Sequence, residues 1–245
     1  AQPQALSVAD RYPAQVRDAE LIPLKDLHAT RQTPYVVYAV IAICVIAFLW
    51  QAALGTDGMQ RAIFGLGLIP GVVTGSAELA PRLVMVPAWL TFVTSMFLHA
   101  GWLHLAGNLV YLWIFGNNVE GRLGHQGFAV FYLAAGLAAA AAQIAPEPGS
   151  TIPMVGASGA VSGVLGAYLV LFPRSRVVVF IPFSFMLLHE IRAFWLLIIW
   201  FAAQLISAVG APDGAGVAWW AHIGGFLAGA IVALPLVNRR RGPWG

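Results

Sequence analysis

Of the 245 residues, 60% are hydrophobic and only 9% are charged, whereas soluble domains carry about 25% charged residues. A soluble fold of this size could not cover its surface with so few charges, so the composition implies an integral membrane protein. The formal charge of +3 comes from scattered or terminal basic residues, which argues against a nucleic-acid partner, and the single cysteine, Cys44, excludes an intrachain disulfide and a thiolate metal cluster.

Residues 1–33 are polar and lack a short apolar core near the start, so no cleavable signal peptide is expected there. They read as a small, loosely ordered cytoplasmic segment. A bilayer core of about 30 Å requires roughly 20 apolar helical residues. Stretches near that length fall at 34–54, 103–120, 127–145, 157–172, 193–209 and 216–237. Pro34, Pro146 and Pro173 punctuate them as helix boundaries should be punctuated. The expected fold is all-α: a polytopic six-transmembrane-helix bundle over 34–237, with a basic cytoplasmic tail at 238–245.

The connection at 55–102 is long, apolar in patches ("FGLGLIPGVV", "MVPAWLTFVTSMFL") and broken by Pro70, Pro81 and Pro87. That composition predicts short helices lying partly in the membrane interface, helped by Trp89 and Trp102. Basic residues set the orientation. Arg11, Arg17, Lys25, Arg31, Arg122, Arg174, Arg176, Arg192 and Arg239, Arg240 and Arg241 share one side of a six-span topology; only Arg61 and Arg82 fall on the other. By the positive-inside rule, both termini are expected in the cytoplasm.

Polar groups inside spans are costly and mark function by default. His104 and Asn108 open the second span, four residues apart on one helical face. Ser158 heads the fourth span, in "MVGASGAVSGVLGAY", and His222 lies in the sixth, in "WWAHIGGFLAGA". The fourth helix, ending before Pro173, is only about 15 residues or roughly 23 Å long, about 7 Å short of the hydrocarbon thickness. Ser158 is therefore expected below the outer surface. His222, about five residues into its helix, is expected roughly 8 Å down, at matching depth. Irregular backbone such as "STIPMVG" belongs at that depth only beside protein or a water cavity, so an outward-opening wet pocket follows.

His222, Gly225 and Gly229 share one face of their helix, and Gly159 and Gly163 form a G-x-x-x-G step on the fourth. Small faces let helices approach closely. If these faces meet, His222 can take the proton that the Ser158 hydroxyl must lose to attack a carbonyl. No Asp or Glu lies nearby in the spans, so the unit would be a dyad. The Ser158 N–H at a helix N-terminus, His104 and Asn108 are candidate donors to an oxyanion.

Each feature alone has a plainer reading. "GASGAVSG" reads equally as a glycine packing face with Ser158 and Ser162 as small spacers, and Ala160 departs from the soluble G-x-S-x-G elbow. His222 alone reads as a structural or proton-relay histidine, and His104 with Asn108 as an interhelical hydrogen-bonding pair. A transporter using His104 and His222, or a non-catalytic binder of membrane proteins, stays open on residues alone. The conjunction at one depth on three small-residue helices favours chemistry. His99 is a supporting residue for the pocket. His28, His125 and His189 read as ordinary exposed or interfacial residues, Tyr168 as packing, and Glu120 with Arg122 as a structural pair.

These motifs resemble the rhomboid family of intramembrane serine proteases. "GASG" at 156–159 is similar to its G-x-S-G, "HAGWLHLAGN" at 99–108 to its H-x-x-x-x-H-x-x-x-N, "HIGGFLAG" at 222–229 to its H-x-x-G-x-x-x-G, and "EGR" at 120–122 to its E-x-R. The resemblance covers about 34–237 and implies catalytic Ser158 and His222, oxyanion binding by His104, Asn108 and the Ser158 amide, and motif roles for His99, Gly156, Gly159, Gly225 and Gly229. It implies no metal or organic cofactor. It also implies cleavage of other transmembrane proteins, after a small residue near a helix-destabilised segment, by a multi-pass plasma-membrane enzyme whose site opens outward and whose long outer loop lies in the membrane as a wedge.

Overall fold

A computed structural model describes residues 22–27, 32–180, 188–210 and 216–237. His28 and the basic residues at 11, 17, 31 and 239–241 lie outside the described residues. The chain runs β1 (Ile22–Asp26), α1 (Tyr35–Ala53), α2 (Gly55–Leu66), α3 (Pro70–Thr74), α4 (Thr91–Thr94), α5 (Trp102–Leu123), α6 (His125–Ile144), α7 (Ser158–Leu171), β2 (Arg176–Phe180), β3 (Leu188–Arg192), α8 (Ala193–Gly210) and α9 (Trp219–Ala233). It is a mostly helical, polytopic membrane fold. The six apolar stretches coincide with α1 and α5–α9.

Among the described residues, α1, α6, α8 and α9 with its following 3-10 turn are each long and apolar enough to cross a bilayer. The segment Pro81–Phe97 and α5 form a further pair, bent by 77°. α7, with 14 residues, reaches only about 21 Å. It does not need to face lipid along its length. Ala160 through Tyr168 are all buried, enclosed by α5, α6, α8 and α9.

Close approach explains how α7 fits there. A Cβ at Gly225 would overlap the Gly159 carbonyl oxygen, one at Gly229 the Gly163 carbonyl, and one at Gly166 the Phe226 carbonyl. Only glycine lets the two backbones touch in this way. The faces expected to meet do meet, and they bring the N-terminal part of α7 beside His222.

The connection 55–102 forms α2, α3, α4 and three 3-10 turns, the short helices its prolines predict. Trp89 and Trp102 are exposed. The connection is tied to the loop before α7: Leu68 and Met154 exchange two backbone hydrogen bonds (3.0 and 2.7 Å), Gly71 N–H donates to Ser150 O (2.8 Å), and Gly156 N–H donates to Ser95 O (2.9 Å).

The opposite end of α7 departs from expectation. β1, β2 and β3 form an antiparallel sheet in that order, with Val178 pairing Lys25 on one side and Glu190 on the other. Part of the segment expected to be loosely ordered is thus a strand of the fold. It also inserts a side chain: Tyr168 Oη donates to Asp26 Oδ2 (2.5 Å), and Asn118 Nδ2 donates to the same oxygen. Tyr168 is packing, as expected, and an anchor as well. Glu120 and Arg122 are two separate anchors rather than one pair. Buried Glu120 accepts from the Val36 and Val37 amides at the start of α1 (2.9 and 2.8 Å) and contacts His125 Nδ1 at 2.6 Å. Arg122 donates to the Leu236 carbonyl.

Candidate active site

Ser158 is the first residue of α7, so its N–H belongs to the four amides that have no partner within the helix. Its hydroxyl lies 2.8 Å from His222 Nε2. The other ring nitrogen, Nδ1, lies 2.7 Å from Gln204 Oε1 on α8. An amide oxygen only accepts, so Nδ1 carries the proton of the neutral ring. Nε2 then offers a lone pair to the serine O–H. Trp200 and Trp219 flank the imidazole, with ring centroids 6.2 and 6.0 Å away.

His104, on α5, also lies near Ser158. Its Nδ1 accepts the Ala100 N–H at 3.3 Å, so its proton is on Nε2. A Cβ built on Gly156 would fall 2.7 Å from His104 Nε2 and 3.6 Å from Ser158 Oγ. The Nε2–H donor and the hydroxyl therefore border one small space, kept open by the absence of a side chain at 156. Gly156 also has φ +127°, a conformation that disfavours any other residue. Asn108, buried, donates from Nδ2 to the His104 carbonyl at 2.9 Å. One N–H of that amide remains for another acceptor.

The rest of the sequence-derived set takes supporting places. Buried His99 stands edge-on to His104, ring centroids 5.2 Å apart. Its backbone is held by Gln51, which accepts its N–H (3.0 Å) and donates to its carbonyl (3.3 Å). Gly159, Gly225 and Gly229 lie at the α7–α9 contact. Ser162 Oγ donates to the Ser158 carbonyl (2.6 Å), a local bond within α7. Among the described residues, no set of three or more His, Cys, Asp or Glu converges as a metal site.

Sequence reasoning missed Gln204. The α8 stretch reads as a plain apolar span, and nothing local ties its one side-chain amide to His222 on another helix. The available signal was a single glutamine in the otherwise apolar "WFAAQLI" of α8.

A recess beside Ser158 is lined by Met96, Gly136, Ala139, Ala140, Met154 and Gly159. The fold and site define a polytopic helical membrane protein with a hydrogen-bonded serine–histidine pair at the head of an enclosed, shortened helix. The Rhomboid domain matches residues 87–239, and the chain belongs to the rhomboid family. It is 33% identical over 212 residues to the rhomboid protease GluP of Bacillus subtilis, covering 86% of this chain and 37% of that protein. It is 46% identical over 77 residues to the chloroplastic rhomboid-like protein 11 of Arabidopsis thaliana, covering 31% and 27%. It is 28% identical over 182 residues to the mitochondrial rhomboid protein 1 of Saccharomyces cerevisiae, covering 71% and 50%. The chain thus spans half or less of the length of these relatives.

Proposed function

We propose that this protein is a serine-type intramembrane endopeptidase, with Ser158 as nucleophile and His222 as general base and then acid. The observation that carries the reading is the 2.8 Å contact between Ser158 Oγ and His222 Nε2, in a tautomer that leaves Nε2 free to accept. As Oγ bonds to the scissile carbonyl carbon, its proton passes to Nε2. The carbonyl π electrons move to oxygen. His104 Nε2–H, the second Asn108 N–H and the Ser158 amide are the donors for that oxyanion. Collapse breaks the C–N bond, and the imidazolium gives its proton to the departing amine. Water then attacks the acyl-enzyme with His222 again as base, and Ser158 is released.

The substrates are transmembrane segments of other membrane proteins. A helix in lipid satisfies its own backbone, so unwinding it for attack is costly. Gly or Pro near the cut lowers that cost. The small recess formed by Gly136, Ala139 and Ala140 suits a small side chain beside the scissile bond. The domain comprises 34–237 together with the strand at 22–26. The protein resides in the plasma membrane with both termini cytoplasmic and Ser158 toward the outer side.

The test is labelling by a serine-reactive fluorophosphonate, alongside cleavage of a liposome-reconstituted transmembrane substrate with an Ala–Gly site. The unaltered protein should label and cleave. Ser158→Ala should do neither, and His222→Ala should lose both to background. Unchanged cleavage by Ser158→Ala overturns the proposal.

A further inference from the structure

We propose that Gln204 is a positioning residue for His222: its side-chain oxygen fixes the tautomer and the ring plane that present Nε2 to Ser158. The proposal rests on the reading of Ser158 as the nucleophile. Three observations carry it. Gln204 Oε1 lies 2.7 Å from Nδ1, a short contact for a neutral pair. Gln204 is buried although it is polar and sits on a helix whose exposed residues are apolar, including Ile199, Leu205, Ile206 and Val209. Burying an amide without a partner costs free energy, and the partner it finds is the one ring nitrogen that the serine does not use. Finally, Gln204 and His222 are on different helices, so α8 must keep its place against α9 for the contact to persist.

The chemical consequence concerns charge. When Nε2 takes the serine proton, the imidazolium needs an acceptor at Nδ1. A carboxylate would supply a full negative charge; an amide oxygen supplies a dipole and no charge to desolvate. In an apolar bundle this is the less costly orienter, since an unpaired buried carboxylate carries a large desolvation penalty. The groups around His222 are otherwise uncharged. α7 presents Ser158, α8 presents Trp200 and Gln204, and α6 contributes Gln143, whose Oε1 accepts the Ala221 N–H. The titratable group facing it among the described residues is His104 on α5, with His99 behind. Asp213, in the connection between α8 and α9, lies outside the described residues.

The experiment uses the full chain in proteoliposomes. It follows the second-order rate of fluorophosphonate labelling against pH for the unaltered protein, Gln204→Leu and Gln204→Glu, each also in an Asp213→Asn background. Gln204→Leu should label about 10- to 100-fold more slowly, by analogy with losing the partner that orients a metal-bound histidine. Its ascending limb should move to lower pH, because the imidazolium loses its acceptor. Gln204→Glu should label measurably and move that limb to higher pH by about one unit or more, since an adjacent carboxylate favours the charged ring. Both shifts should persist with Asp213→Asn.

A second readout is independent of turnover. In Ser158→Ala carrying 15N-histidine, His222 should show a protonated Nδ1 and a bare Nε2, and adding Gln204→Leu should give a tautomer mixture. Equal rates and unmoved profiles in both Gln204 variants overturn the proposal. So does equal loss in both with an unmoved midpoint, which marks Gln204 as packing alone. Labelling that survives Ser158→Ala overturns the nucleophile assignment instead, and the nitrogen spectra then report on Gln204 separately.

Discussion

α7 carries a polar cluster at each end, and the two are built differently. At the C-terminal end, Tyr168 and Asn118 both donate to Asp26, and nearby Glu120 is occupied by two α1 amides and His125. At the N-terminal end, the Ser158 amide has no helical partner, and the Nε2–H of His104 borders the open space beside the Ser158 hydroxyl. Saturated polar groups hold a structure together, whereas donors left facing a space are available to a reacting atom. The same helix thus separates anchoring at Tyr168 from chemistry at Ser158 by about 15 Å of mostly apolar residues. Mutations at the two ends should divide accordingly: activity lost without stability at one, stability lost without activity at the other.

The largest effect belongs to Ser158→Ala. Turnover should fall to background, a loss on the order of 10⁶-fold, while the thermal midpoint in detergent moves by no more than a degree or two. The serine hydroxyl supports no part of the packing, so a collapse in stability here would erase the division. His104→Ala comes next. Losing one oxyanion donor should lower kcat by about 10²–10³-fold with little change in KM, read from steady-state cleavage. A rise in KM at constant kcat would instead make His104 a substrate-binding group.

Gly166→Val tests the helix contact that joins the two ends. The added side chain meets the Phe226 backbone carbonyl; overpacking among core side chains costs about 1–3 kcal/mol, and a clash with helix backbone should cost at least that. Unfolding in detergent should show that loss, with Gly107→Ala, where a Cβ has open space, as the silent control. Because α9 also carries His222, activity per folded molecule should fall too. Gly166→Val is therefore the one change expected to cross the division.

How much of this was legible in the sequence follows from which forces act locally. The six helices were legible because apolar runs of about membrane length are conspicuous, and only α7 falls clearly short of the hydrocarbon thickness. Ser158, His222, His104 and Asn108 stood out because polar atoms in apolar helices are conspicuous. The sheet was not legible. "RVVVF" at 176–180 is a good strand sequence, but a five-residue strand is stable only with partners, and one of them, β1, lies more than 150 residues earlier. Glu120 was read with its sequence neighbour Arg122, whereas two of its partners are 83 and 84 residues away. Gln204 stands alone in an apolar stretch, and its partner His222 is 18 residues away on another helix. Long-range pairing is the signal that a scan of local composition passes over.

The smallest effect sharpens the comparison most. Tyr168→Phe keeps the ring against Phe115, whose centroid is 4.9 Å away in an edge-on contact, and removes only the hydroxyl that donates to Asp26. The carboxylate keeps Asn118. A hydrogen bond to a charged group is worth about 1.5–3 kcal/mol, and retention of the second donor places the expected loss near the lower figure. The strand β1 should loosen first, since Asp26 ties it to α5 and α7. Amide hydrogen exchange should therefore rise at 22–26 and at the paired residues 177–180 before it rises in the helices. Cleavage per folded molecule should stay within about twofold, because ΔΔG values at sites more than 7–10 Å apart and without shared partners are nearly independent. A large loss of activity at unchanged global stability would mean that the sheet end communicates with Ser158 through α7, and anchoring and chemistry would then be one system rather than two.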